Sequence, residues 1–108
     1  MESATVETGT TEAHHMASKQ DYGLLMKILE AHEEYANAKD KNGWTPLHEA
    51  VVGNSEAIVE LLVEKGSDVN AVTNSGETAL NIAKEYKGEG HPIVTLLESY
   101  GAKMGSEL

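Results

Sequence analysis

The chain has 108 residues, of which 18 are acidic and 8 are lysine, with no arginine, cysteine or phenylalanine, and carries a net charge of −10. This length suits one domain with a modest core. The missing cysteine excludes disulfides and thiolate metal sites, and the acidic balance excludes the basic footprint that nucleic acid and anionic membranes require.

No segment departs from that balance. Residues 1–39 carry seven acids against three lysines, 40–72 six against two, and 73–108 five against three. A basic protein is the partner such a surface favours. The start, MESATVETGT, has acids where a signal peptide needs bases, and it lacks an apolar stretch. No run approaches the ~20 apolar residues of a membrane span. Residues 1–10 therefore read as a disordered acidic tail, and the chain as soluble, in the cytoplasm or the nucleus. The ending KMGSEL is a weak echo of an ER-retention address and carries little weight without an entry signal.

In chain order, EAHHMA (12–17) and DYGLLMKILEAHEEYANA (21–38) have helical spacing. His14 and His15 are adjacent, so on a helix they point ~100° apart and cannot share a metal. HHMAS also resembles the end of an expression tag, which would leave both histidines without a role. In DKNGWTPLHEA (40–50), Thr45 can cap a helix, Pro46 suits its first position, and Leu47, Ala50 and Val51 supply an apolar face. Gly53-Asn54 ends it with residues that tolerate a left-handed backbone. Ser55 can cap a second helix bearing Ile58, Val59, Leu61 and Leu62, while Glu56, Glu60 and Glu64 form a solvated stripe. Gly66 closes that helix, and SDVNAVTNSG (67–76) makes an extended turn. TNSGETALNIA (73–83), the loop at KGEGHP (87–92) and IVTLLESYGAK (93–103) follow.

These pieces repeat. Shifted by 33, Gly43 falls on Gly76, Thr45 on Thr78, Leu47 on Leu80, Ala50 on Ala83, and Asn37-Ala38 on Asn70-Ala71. Ala17 falls on Ala50. Beyond residue 85 the offset is 35, so two residues are inserted near 87–92, and Gly66 meets Gly101. Three copies result: a degenerate one over 11–39, a full one over 40–72, one with the insertion over 73–105, and a tail at 106–108. Three is about the smallest number that buries a shared core by stacking.

DKNGWTPLHEA with IVELLVEKGSDVNA, and TNSGETALNIA with IVTLLESYGAK, resemble the ankyrin repeat. The resemblance covers about 85 residues. It implies an all-α solenoid of helix-turn-helix units joined by hairpin-like turns. Asn54 stands where the family usually has glycine. Ala79 and Asn81 replace the Pro and His of T-P-L-H in the third copy, and the first copy is expected to lack that group altogether. Two atypical end copies fit a small stand-alone solenoid.

The resemblance makes Thr45, Pro46, Leu47, His48, Ala50, Asn54, Gly66, Thr78 and Gly101 structural. His48 is expected to be buried, its ring bonding neighbouring backbone and linking repeats. Thr45 lacks the base a nucleophile needs. GEGHP is too short of glycine for a phosphate loop. No catalytic residue, cofactor or metal site is legible, and a non-enzymatic protein-binding module is expected, a small adaptor or inhibitor-like regulator. Carried over by position, its partner-binding residues are Lys41, Asn42, Trp44 and Val52 in the second copy and Asn74, Ser75, Glu77, Glu85 and Tyr86 in the third, with Lys19 and Gln20 as first-copy equivalents. Trp44 beside Val52 and Tyr86 has the make-up of a hot spot. Its alternative role is to cover the weak first repeat. The other classes left open are a scaffold that stacks through its end repeats, where the monomer otherwise expected would self-associate, and an enzyme or metal protein. Leu62 followed by Asn70 in DVN resembles the pattern an asparaginyl hydroxylase modifies in this family. The alternative is that Asn70 only bonds its turn.

Overall fold

A computed structural model describes residues 10–108. Of the tail expected over 1–10, all but Thr10 lies outside the described residues. Among the described residues, six α-helices form three antiparallel pairs: α1 (Glu12–Lys19) with α2 (Tyr22–Ala31), α3 (Pro46–Gly53) with α4 (Glu56–Glu64), and α5 (Ala79–Lys87) with α6 (Pro92–Ser99). The body is elongated, 41 × 27 × 20 Å.

The helices start where the side chains allow it. Thr11, Asp21, Thr45, Ser55 and Thr78 each cap a helix by accepting from the backbone N–H three residues on, and His91 caps α6 through Ile93 N–H. α1 and α3 end at Gln20 and Asn54, whose φ values of 62° and 65° are left-handed. Asn54 thus does the work usually given to glycine.

Packing follows from residue size. The first helices α1, α3 and α5 lie side by side, with fully buried Ala13, Ala17, Ala50 and Ala83 among them. Small side chains let these helices approach closely. The second helices bring the bulk, with Leu25, Leu29, Ile58, Leu62, Ile93 and Leu97 all buried. The turns are stitched as well. Asn37 donates to Gly66 O at 2.9 Å and accepts from Asp68 N at 2.6 Å, and Ser67 Oγ donates to Ala36 O at 2.7 Å. In the next hairpin Asn74 N–H reaches Asn42 O at 3.0 Å and Asn74 Nδ2 reaches Lys41 O at 2.8 Å.

His48 is 1% exposed. Its Nδ1 accepts from Thr45 N–H at 3.1 Å, so the neutral ring carries its proton on Nε2 and donates to Glu77 O at 3.2 Å. One feature departs from the sequence-based reading. The first copy keeps the Thr and His of the group it was expected to lack altogether, with Glu12 and Ala13 in place of its Pro and Leu: Thr11 N–H donates to His14 Nδ1 at 3.0 Å, and His14 Nε2 donates to Trp44 O at 2.8 Å. His14 is 2% exposed, so it is built into the fold whatever the likeness of HHMAS to a tag. The reason for the miss is a one-residue slip. Thr11, His14 and Gln20 lie 34 residues before Thr45, His48 and Asn54, while Asn37 lies 33 before Asn70. The extra residue falls in α2, which has ten residues against nine in α4.

The third copy ends differently. Asn81 Oδ1 accepts from Thr78 N–H at 2.9 Å and from Gly105 N–H at 2.7 Å, and Thr78 Oγ1 donates to Lys103 O at 2.6 Å. Residues 102–108 therefore lie where a fourth hairpin would stack. They finish in a 3-10 turn, Gly105–Glu107, with Glu107 Oε1 accepting from Met104 N–H at 2.7 Å.

Two glycines are enforced by these contacts. Gly43 has a φ of 82°, and a Cβ there would sit 2.7 Å from Asn74 N. A Cβ on Gly105 would collide with the carbonyl oxygen of Gly76. Gly43→Ala and Gly105→Ala are expected to cost about 2 kcal/mol each in urea unfolding, while Gly90→Ala, which meets nothing within 4 Å, stays within about 0.5 kcal/mol.

Burial lowers the pKa of both His14 and His48 from 6.5, against the raising effect of their carbonyl partners. Their stabilisation is complete above pH 6.5, where folded and unfolded rings are neutral. It declines as the pH falls from there toward the lowered folded values, because the unfolded chain takes the protons first. The urea midpoint is expected to drop between pH 7.5 and pH 5. A variant with both histidines changed to glutamine should lose that part of the drop.

Candidate partner-binding groove

The second hairpin is shaped by one carboxylate. Asp40 Oδ1 accepts from Asn42 N–H at 2.8 Å and from Trp44 N–H at 2.9 Å, and Asp40 N–H donates to Trp44 O at 2.9 Å. Thr73 does the same in the third copy, its Oγ1 accepting from Ser75 N–H at 3.1 Å and Glu77 N–H at 3.3 Å. A short side chain with an acceptor at this position holds the turn closed.

Trp44 is half-buried. It packs on the core, and its ring lies 5.5 Å from that of His48, tilted by 49°. Its free side opens on a groove of about 410 Å³ lined by Asp40, Asn42, Trp44, Glu49, Val52 and Tyr86. Tyr86 is 60% exposed and Val52 37%. Four of the residues singled out by position, Asn42, Trp44, Val52 and Tyr86, thus meet in one place. Lys41, Asn74, Ser75, Glu77 and Glu85 do not line it. Asn74 is occupied in stapling the two hairpins, and Glu77 O takes the bond from His48. Gln20 is a helix cap beside Gly53.

Asp40 and Glu49 were not singled out by sequence. Glu49 is half-buried on the exposed side of α3. Burial raises its carboxyl pKa, and the charge of Asp40 adds to this. The same two acids border a second hollow of about 210 Å³ beside His14, His15 and Ser18. Two lysines near this region donate to backbone carbonyls: Lys39 Nζ to Val72 O at 3.0 Å, and Lys87 Nζ to the carbonyl of the groove residue Val52 at 3.4 Å. The signal that would have found Glu49 is its place one residue past His48, on the open face of a helix whose other side is buried.

Among the described residues, no three His, Cys, Asp or Glu side chains gather to hold a metal ion, and no helix is long and apolar enough to cross a membrane. Asn70 is half-buried, and its Oδ1 accepts from Lys103 N–H at 2.8 Å.

Comparison with known proteins agrees with this architecture. A family model for ankyrin repeats (three copies) matches residues 9–107. Similar curated proteins include protein phosphatase 1 regulatory subunit 12A of Mus musculus, 36% identical over 81% of this chain and 9% of the relative. The NAD-capped RNA hydrolase NUDT12 of Homo sapiens is 38% identical over 86% of this chain and 20% of its own length. Inversin of Gallus gallus is 32% identical over 91% of this chain and 9% of its own. The chain thus spans no more than a fifth of each of these relatives, and the similarity to the hydrolase lies in ankyrin repeats, a family that is typically non-catalytic and serves protein–protein interaction. By fold, repeat pattern and family match, the chain belongs to the ankyrin-repeat family.

Proposed function

We propose that this chain is a non-enzymatic protein-binding module, a small adaptor or inhibitor-like regulator, that takes a basic protein partner on its hairpin tips and the open face of its first helices. The observation that carries this reading is the groove in which Trp44, Val52 and Tyr86 expose apolar and aromatic area beside two carboxylates. Aromatic surface held rigidly gives large contact area at small entropic cost. The acidic surroundings favour encounter with a cationic partner and disfavour anionic ones. The position of Trp44, packed on the core and lining the groove, supports the binding role. Solution in the cytoplasm or nucleus suits this role.

A second reading, assembly through the end repeats, draws on Tyr22 and Leu24. They are 41% and 48% exposed on α2, where another repeat could stack. Sedimentation over a range of concentrations separates the two, because only the stacking reading makes mass grow with concentration.

Partner capture followed by quantitative mass spectrometry tests the groove. Proteins retained by the wild-type chain should be lost or reduced about tenfold or more with Trp44→Ala and with Tyr86→Ala, while circular dichroism shows the variants folded. Capture unchanged by both substitutions would overturn the site. The affinity for the captured partner should also fall as salt rises from 50 to 500 mM, and a flat salt dependence would overturn its basic character.

A further inference from the structure

The groove has a specific chemical shape. Its walls include two aromatic rings, Trp44 and Tyr86, and its lining includes two carboxylates, Asp40 and Glu49. Among the described residues, no lysine forms an ion pair with either acid, and none lines the groove. The plane of the Asp40 carboxylate is set by the two backbone N–H groups that meet its Oδ1. Glu49 is partly stripped of water and repelled by Asp40, so an arriving cation relieves both effects at once.

We propose that this groove takes one arginine side chain of an extended segment of the partner, its guanidinium laid against Trp44 and Tyr86 and paired with Asp40 and Glu49. The proposal rests on the protein-binding reading above and names what that surface recognises. A planar guanidinium stacks on aromatic faces and offers donors in several directions, so it can satisfy two carboxylates while covering a ring. A lysine ammonium is compact and strongly hydrated, and it uses the rings less well. An anionic or apolar group would leave the two acids repelled or unpaired. A second copy of this chain is not the occupant, because the sequence contains no arginine.

The test uses the full chain, 15N-labelled, titrated with an acetylated and amidated pentapeptide of serine and glycine with one central arginine. The only tryptophan is Trp44, so its indole N–H reports the groove without ambiguity. The expected result is a saturable shift of that signal and of the Glu49 amide. The peptide with lysine in place of arginine should bind several-fold more weakly, and the one with citrulline, the neutral isostere, about tenfold or more weakly. Tyr86→Ala and Glu49→Gln should each weaken the arginine peptide about tenfold and leave the fold intact, since both side chains lie outside the core. Equal binding of the citrulline peptide, tighter binding of the lysine peptide, or no saturable shift at Trp44 would overturn the proposal. If the peptide fails while Trp44→Ala still abolishes partner capture, the protein-binding reading stands and arginine recognition falls. If the peptide binds at Trp44 while capture is unchanged by both Trp44→Ala and Tyr86→Ala, the groove takes a free arginine but the captured partner docks elsewhere, and the proposal that the partner's arginine fills it is overturned.

Discussion

The structure depends on a bond that two of the five histidines, His14 and His48, each make between their own repeat and the next. A backbone N–H of the helix cap pins Nδ1 as an acceptor, which forces the proton onto Nε2 and aims it at a carbonyl of the following hairpin. His14 does this to Trp44 O at 2.8 Å and His48 to Glu77 O at 3.2 Å. Trp44 and Glu77 are equivalent positions, each immediately before the capping threonine of its own repeat. The stack is thus threaded by a chain of threonine, histidine and carbonyl that passes from the first helix pair to the third. It suits the neutral ring only, since a second proton would set two donors face to face at Nδ1.

At the far end the same slot is filled differently. Asn81 is too short to reach a following carbonyl, and no following repeat supplies one among the described residues. Its Oδ1 instead accepts from Gly105 N–H, and the closing segment folds over it. The two ends of the stack are therefore not alike. The first repeat is attached through His14 to the hairpin that carries Trp44. The last repeat is closed by its own chain, held through Thr78, Asn70 and Asn81. The groove lies between them, so its aromatic wall is positioned from one side by the first repeat and its Tyr86 wall by α5.

Most of this was legible where local chemistry and period agree. The middle copy shows its caps, its glycines and its apolar face in the order a helix pair needs, and Asn54 was readable as a left-handed residue. The first copy was not legible because its period slips by one residue. At an offset of 33, Ala17 falls on Ala50 but Thr11 and His14 fall on Trp44 and Leu47; they meet Thr45 and His48 only at an offset of 34. The groove was half legible. Trp44, Val52 and Tyr86 are large residues at positions that the repeat leaves open, so they could be named. Asp40 and Glu49 are two of 18 acids, and only the packing of α3 and the hairpin sets these two apart by facing them into one hollow. Asn74 and Glu77 look like surface in the sequence, but the side chain of one and the carbonyl of the other serve contacts between repeats.

The central claim is that the first repeat, through His14, holds the hairpin that builds the groove. Amide hydrogen exchange on the full chain, comparing wild type with His14→Gln, tests it most directly. The account predicts that exchange at Gly43 and Trp44 accelerates about tenfold or more, while the amides of α6 keep their protection. Unchanged protection at Gly43 and Trp44, or a uniform loss across all three repeats, would contradict it.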